Sequence, residues 1–212
     1  MVCGLLVGCG DDDGEGAKVS EQPKGDAKDA SPAAEQHDGS TDRNRWPGLE
    51  LRRLDPAHEP TPYSAKQIAL ACGPKSKRVF RHDIKGRDAT YNCWTFTDNT
   101  AEGATFHATE CDETGKETGE RRSQQATWKE LQSHASFPAE QVTTSEAKLK
   151  TPAGTFDCMH YVVKRGARKG EAEDRYWFAW DLPGPPIRLE RYVNGTLMVT
   201  MTLIAVSGVG EE

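Results

Sequence analysis

Residues 148–206 alternate apolar and polar side chains in short runs broken by turn signals, a pattern that commits this part of the chain to antiparallel strands. Residues 142–150 lead into Thr151-Pro-Ala-Gly-Thr, and residues 156–164 follow. After a charged loop come 175–180, then Asp181-Leu-Pro-Gly-Pro-Pro, 187–193, Asn194-Gly195 and 196–206. Most side chains able to build a core lie here.

In the last hairpin Ile187 and Leu189 share a face, as do Leu197, Val199, Met201 and Leu203. A strict two-residue Asn194-Gly195 turn sets Leu189 against Thr200, and the apolar faces miss. A three-residue loop with a bulge at Gly195 sets Leu189 against Val199 and Ile187 against Met201, and is the expected form.

Upstream, Ser64 caps a helix over 63–72, with Ile68, Leu70 and Ala71 on its packed side and Gly73-Pro74 as the stop. Strands are expected over 77–84, 89–97 and 104–111, with Trp94 opposite Ala108 and Phe96 opposite Phe106. Residues 112–122 are polar and contain glycine, which reads as a loop. Thr127 and Glu130 form a capping box for a second helix over 127–134, in which Leu131 packs with Trp128 and which Phe137-Pro138 ends. The expected fold is α+β: a curved antiparallel sheet, half-barrel-like, packed on one or two helices.

Composition divides the chain. Residues 10–45 hold ten Asp/Glu, five Lys/Arg and no aromatic residue, which leaves 22 basic and 23 acidic side chains for the other residues. The acidic stretch is too poor in apolar surface to offset its ordering entropy and reads as a disordered linker. As a flexible coil it reaches roughly 30–36 Å. The near-neutral remainder, with no basic stripe, argues against nucleic-acid binding. The organisation is residues 1–8 as a truncated signal peptide, 9–45 as anchor cysteine and linker, and 46–207 as one domain.

Leu6-Val7-Gly8-Cys9 resembles the lipobox of bacterial lipoproteins. That resemblance implies an acylated (palmitate-bearing) Cys9, removal of residues 1–8, and a lipid-anchored place in the cell envelope. The basic and apolar regions of a signal are both cut short, which implies a true start upstream. Pro152-Ala-Gly-Thr-Phe-Asp-Cys158, Tyr176-Trp-Phe-Ala179 and Pro186-Ile-Arg-Leu-Glu190, with the Asn-Gly hairpin, are similar to envelope half-barrels of the lipoprotein-carrier-like kind. This second resemblance spans residues 148–206 and implies a fold; it supplies no site residues.

Four cysteines remain for disulfides: Cys72, Cys93, Cys111 and Cys158. The 89–111 hairpin brings Cys93 diagonal to Cys111, leaving Cys72 with Cys158; Cys72–Cys93 with Cys111–Cys158 stays open, as do free buried thiols. Zinc on His107, Cys111, Cys158 and His160 is the competing use, which no CxxC or HxxxH spacing supports. No Gly-x-Ser-x-Gly, phosphate-binding glycine loop or HExxH appears, so the expectation is a non-enzymatic protein without metal or cofactor.

Trp177, Phe178 and Trp180 are the candidate ligand-binding residues, since aromatic side chains on both faces of one strand suit a core on one side and a ligand or covering loop on the other. The expected function is binding of an apolar small molecule or lipid, or of another envelope protein. The alternatives are a structural subunit of an envelope assembly and a hydrolase. An open apolar concave face favours ligand binding, and one filled by the helix at 63–72 favours the structural role.

Overall fold

The computed structural model describes residues 52–167 and 170–208. The expected signal peptide, Cys9 and linker lie outside the described residues. A single nine-stranded antiparallel sheet, curved and unclosed, dominates. Its strands are β1 (Lys77–Ile84), β2 (Thr90–Thr97), β3 (Gly103–Cys111), β4 (Glu117–Thr127), β5 (Val142–Thr151), β6 (Gly154–Ala167), β7 (Gly170–Ala179), β8 (Arg188–Val193) and β9 (Thr196–Ser207). Two helices, α1 (Ala65–Ala71) and α2 (Trp128–Ser133), and a 3-10 turn over Ala139–Gln141 complete the α+β domain.

The strand order is β4-β3-β2-β1-β9-β8-β7-β6-β5. Two meanders, β1–β4 and β5–β9, are joined where the first strand pairs with the last. The link from β4 to β5 must therefore travel from one edge of the sheet to the other. Eight inter-strand spacings amount to about 38 Å across a flat sheet. The 14 residues between β4 and β5, part helix and part extended, reach about 35 Å at most. The sheet must curl for this link to cross, and the link then lies over the concave face.

That face and its cover form one core. Phe80, Phe96, Phe106, Tyr161, Val163, Tyr176, Phe178, Leu189, Met201 and Leu203 pack with Tyr63, Ile68 and Cys72 from the N-terminal segment and with Trp128, Ala135 and Phe137 from the crossing link, all buried. The two covering segments hold each other: Glu59 N–H donates to the Phe137 carbonyl and Ala139 N–H to the Ala57 carbonyl. Buried Gln132 donates to Thr61 Oγ1 (3.0 Å). Tyr161 Oη donates to the Pro60 carbonyl (2.7 Å) and Tyr63 Oη to the Ala179 carbonyl, pinning the N-terminal segment to β6 and β7.

Both helices start with complete capping boxes, Ser64 with Gln67 and Thr127 with Glu130. In α1 only part of the expected packed side is right: Ile68 and Ala71 are buried, but Leu70 is 74% exposed. Two residues beyond Ile68, Leu70 is rotated about 200° around the helix and faces solvent. The expected pairing of β2 with β3 is found, with Trp94 opposite Ala108 and Phe96 opposite Phe106.

Three expectations are corrected. Residues 117–122 belong to β4, an 11-residue strand rather than a loop. As an outermost strand exposed along almost its whole length, it needs no apolar alternation. The charged loop after residue 164 is instead the hairpin of β6 with β7, whose pairing continues to Ala167 and Gly170. In the last hairpin, Asn194 (φ 50°) and Gly195 (φ 74°) form a two-residue turn, and Val193 pairs with Thr196. A bulge between Arg191 and Tyr192 shifts the register. Leu189 therefore meets Met201, and Arg191 meets Val199.

Phe80 is 0% exposed at the centre of this core. Phe80→Ala is expected to lower the unfolding free energy by about 3–5 kcal/mol, whereas Leu70→Ala should change it by less than about 0.5 kcal/mol. Urea denaturation of the two variants checks both values.

Candidate functional site

The three aromatic candidates do not converge. Phe178 is 3% exposed and packs in the covered core against Tyr63 (6.1 Å between ring centroids, edge-on) and Tyr161 (5.5 Å). Trp177, its neighbour, projects from the opposite face of β7, and Trp180 lies just past the strand, its N–H donating to the Asp157 carbonyl. The concave face that would have to hold an apolar ligand is filled by α1 and the crossing link.

On the other face, register lines up Ser145, His160, Trp177, Arg188, Thr202, Arg81, Tyr91 and Cys111 in one row across eight strands. The His160 and Trp177 rings stack at 4.4 Å, and the Arg188 guanidinium lies 5.9 Å from the Trp177 ring centroid. Arg188 also pairs with Glu190 (2.6 Å), which accepts from Tyr192 Oη (2.8 Å), and Arg175 covers the Tyr192 ring at 4.5 Å. These contacts leave a tiled, mostly covered surface, in which His160 Nε2 and Trp177 Nε1 are buried without a hydrogen-bond partner among the described residues.

Burial, helped by the nearby Arg175 cation, pushes the His160 imidazole down to about 4. His82 is lowered too, again by burial first. Three histidines touch serine hydroxyls: His58 Nδ1 with Ser136 at 2.8 Å, His107 Nδ1 with Ser123 at 2.7 Å, and His160 Nδ1 with Ser145 at 3.5 Å. The other nitrogen of His107 meets Thr97 Oγ1 at 2.8 Å. Among the described residues no carboxylate hydrogen-bonds to any of these rings, so the orienting third member of a Ser–His–Asp arrangement is missing from each.

The four cysteines are buried and unbonded. The Cys93 thiol donates to the Gly115 carbonyl (3.2 Å); it sits with Cys111 and Val79 in a small second cluster. Cys111 and Cys158 are each pushed up to about 12, chiefly by burial, and burial raises Cys72 as well. A thiol held this firmly in its neutral form is a poor nucleophile. Among the described residues no three His, Cys, Asp or Glu side chains gather as metal ligands.

β4 is one of the two edge strands of the sheet, and its outer edge is unpaired. Every residue from Glu117 to Gln125 is exposed, and the strand bonds only to β3. Two acidic residues, Glu117 and Glu120, precede two basic ones, Arg121 and Arg122, with an exposed Arg121–Glu117 pair at 3.0 Å that adds little stability. Sequence periodicity missed this edge, but the turn before it was legible. Asp112 Oδ1 accepts from the N–H groups of Thr114 and Lys116, and Gly115 takes a positive φ of 83°, a hairpin turn signature.

No family model and no curated protein matches the chain. Two solved structures are similar. One, from Parabacteroides distasonis and provisionally described as a lipoprotein, has 10% identity and a TM-score of 0.42, over 66% of this chain and 98% of its own. The other, from Bacteroides fragilis and provisionally described as an exported protein with a YmcC-like fold, has 11% identity and a TM-score of 0.38, over 63% of this chain and 95% of its own.

Because the folded His160 value of about 4 lies below the usual 6.5, the unfolded chain binds this proton more readily than the folded one. The sign is therefore destabilising as pH falls from about 6.5 to 4, with no effect above that window. His160→Asn should flatten part of that loss, by on the order of 1–2 kcal/mol after allowing for solvent screening. Urea titrations of both proteins at pH 7.5 and 4.5 measure the difference.

Proposed function

We propose that this protein is a lipid-anchored protein of the bacterial cell envelope, held through Cys9 by the acidic linker, whose domain acts without catalysis by contacting another envelope protein. The observation that carries the contact is the outer edge of β4: 11 residues long, exposed, and unpaired on one side. An edge of this length offers backbone N–H and C=O groups to an added strand. The charges on Glu117, Glu120, Arg121 and Arg122 suppress indiscriminate pairing and select a segment of complementary charge. Filling of the concave face favours this reading over a lipid or small apolar ligand held inside the sheet. Support for the anchor comes from Leu6-Val7-Gly8-Cys9 and the linker after it.

Two measurements test the proposal separately. Intact mass of protein purified from membranes of its host should fit cleavage before Cys9 plus a diacylglyceryl group, and Cys9→Ser should abolish that mass. A photo-crosslinking residue at Gln125 should yield a discrete adduct with one envelope protein, while the same group at exposed Lys85 in the β1–β2 turn should not. Adducts at Lys85 matching those at Gln125, or none at either, would remove the β4 reading.

A further inference from the structure

Arg78 is the second residue of β1, opposite Trp94 of β2 and Val206 of β9, and is only 1% exposed. A guanidinium carries five N–H donors and stays charged in proteins. Nη2 donates to the Pro183 carbonyl at 2.7 Å. Nε and Nη1, which carry three of the donors, meet no acceptor among the described residues. No described carboxylate lies within ion-pair distance of it; the ion pairs found involve Arg81, Arg121, Lys148, Arg165, Arg175, Arg188 and Arg191.

Two acidic groups near enough to oppose its charge are the Cys72 thiol and the Tyr63 phenol. Burial raises both, so both are neutral at neutral pH. Each also donates elsewhere, Cys72 to the Pro183 carbonyl and Tyr63 to the Ala179 carbonyl. Ser76, just before β1 and 1% exposed, carries a further unpartnered oxygen, as does Asn99, whose amide nitrogen is tied to the Cys72 carbonyl.

Over the guanidinium lies the loop after β7. Gly184 there has φ +134°, and a Cβ would stand 2.3 Å from Nη1, so the backbone drapes directly on the charge. Pro183, Gly184, Pro185 and Pro186 are all partly exposed, which puts the guanidinium one loop's thickness below the surface. A buried unpaired cation costs several kcal/mol. Water can accept its N–H groups but cannot neutralise it.

We infer that Arg78 is the base of an anion site beneath the 181–186 loop, taking one oxyanion, either a carboxylate or a phosphoryl group, as a free ion or as the acidic end of a larger ligand. The guanidinium suits oxyanions because its donors are directional rather than a point charge. The inference is independent of the β4 contact.

Thermal unfolding of the full chain at constant ionic strength tests it, with acetate, phosphate and chloride as separate probes. Either oxyanion should raise the midpoint saturably, by roughly 5–10 °C at a hundredfold excess over its Kd, and chloride should not. A response to acetate alone identifies a carboxylate site and a response to phosphate alone a phosphoryl site. Arg78→Met should abolish the rise. Equal rises in Arg78→Met and the parent, or equal rises with chloride, would overturn the inference. Should Arg78→Met not fold, the Arg78 Nε–H resonance of the parent protein decides: a saturable shift with acetate or phosphate supports the site, and an unmoved signal in both overturns it.

Discussion

The packing of Tyr63, Phe137 and Trp128 into the concave face of the sheet is the contact on which the rest of the fold depends. These side chains come from two segments that approach from different parts of the chain, and they meet the same strands. Without them the curved sheet would present a broad aromatic surface to water, and the link from β4 to β5 would have nothing to cross. The Phe137–Tyr176 stack at 5.2 Å and the Phe137–Tyr161 contact at 6.0 Å fix the link on β6 and β7. The Trp128–Phe96 contact at 6.2 Å fixes its start on β2. Curvature and cover are one constraint.

A filled interior moves the functional weight outward. An aromatic row that could have lined a ligand cavity is either core, as for Phe178, or tiled by neighbours, as for Trp177 between His160 and Arg188. Burial holds the thiols of Cys72, Cys111 and Cys158 in their neutral form, and the histidines that meet serine hydroxyls lack an orienting carboxylate among the described residues, which suits architecture better than chemistry. What remains available is backbone at the β4 edge and charge at Arg78. The first is the surface proposed for a partner, the second the site proposed for an oxyanion.

Much of the sheet was legible because alternation is a local signal. β1, the β2–β3 register and both helix caps follow from a few side chains each. The failures share a physical cause. β4 borrows its structure from β3 and buries almost nothing, so its sequence carries no apolar period. The bulge between Arg191 and Tyr192 lets Asn194-Gly195 keep its tight turn and still bring Leu189 to Met201; pattern alone treated turn length and register as one choice. Leu70 shows the opposite error, an apolar residue assigned inward although helical geometry turns it out. For the candidate site, the aromatic cluster was visible but its division between two faces of β7 hid its meaning. Arg78 gave no signal because a basic residue in a strand, here directly after Lys77, is ordinarily exposed.

The most direct test of the central claim, that α1 and the crossing link close the concave face, is native-state amide hydrogen exchange. The amides of Ile68 and Cys72, which bond to the carbonyls of Ser64 and Ile68, should open with the same free energy as those of Phe80 and Leu203 in the central strands, as members of one cooperative unit. If the α1 amides instead exchange through a much cheaper opening while the strands stay protected, the cover lifts from an intact sheet. The interior would then be a ligand cavity after all, and the closed, filled face would be contradicted.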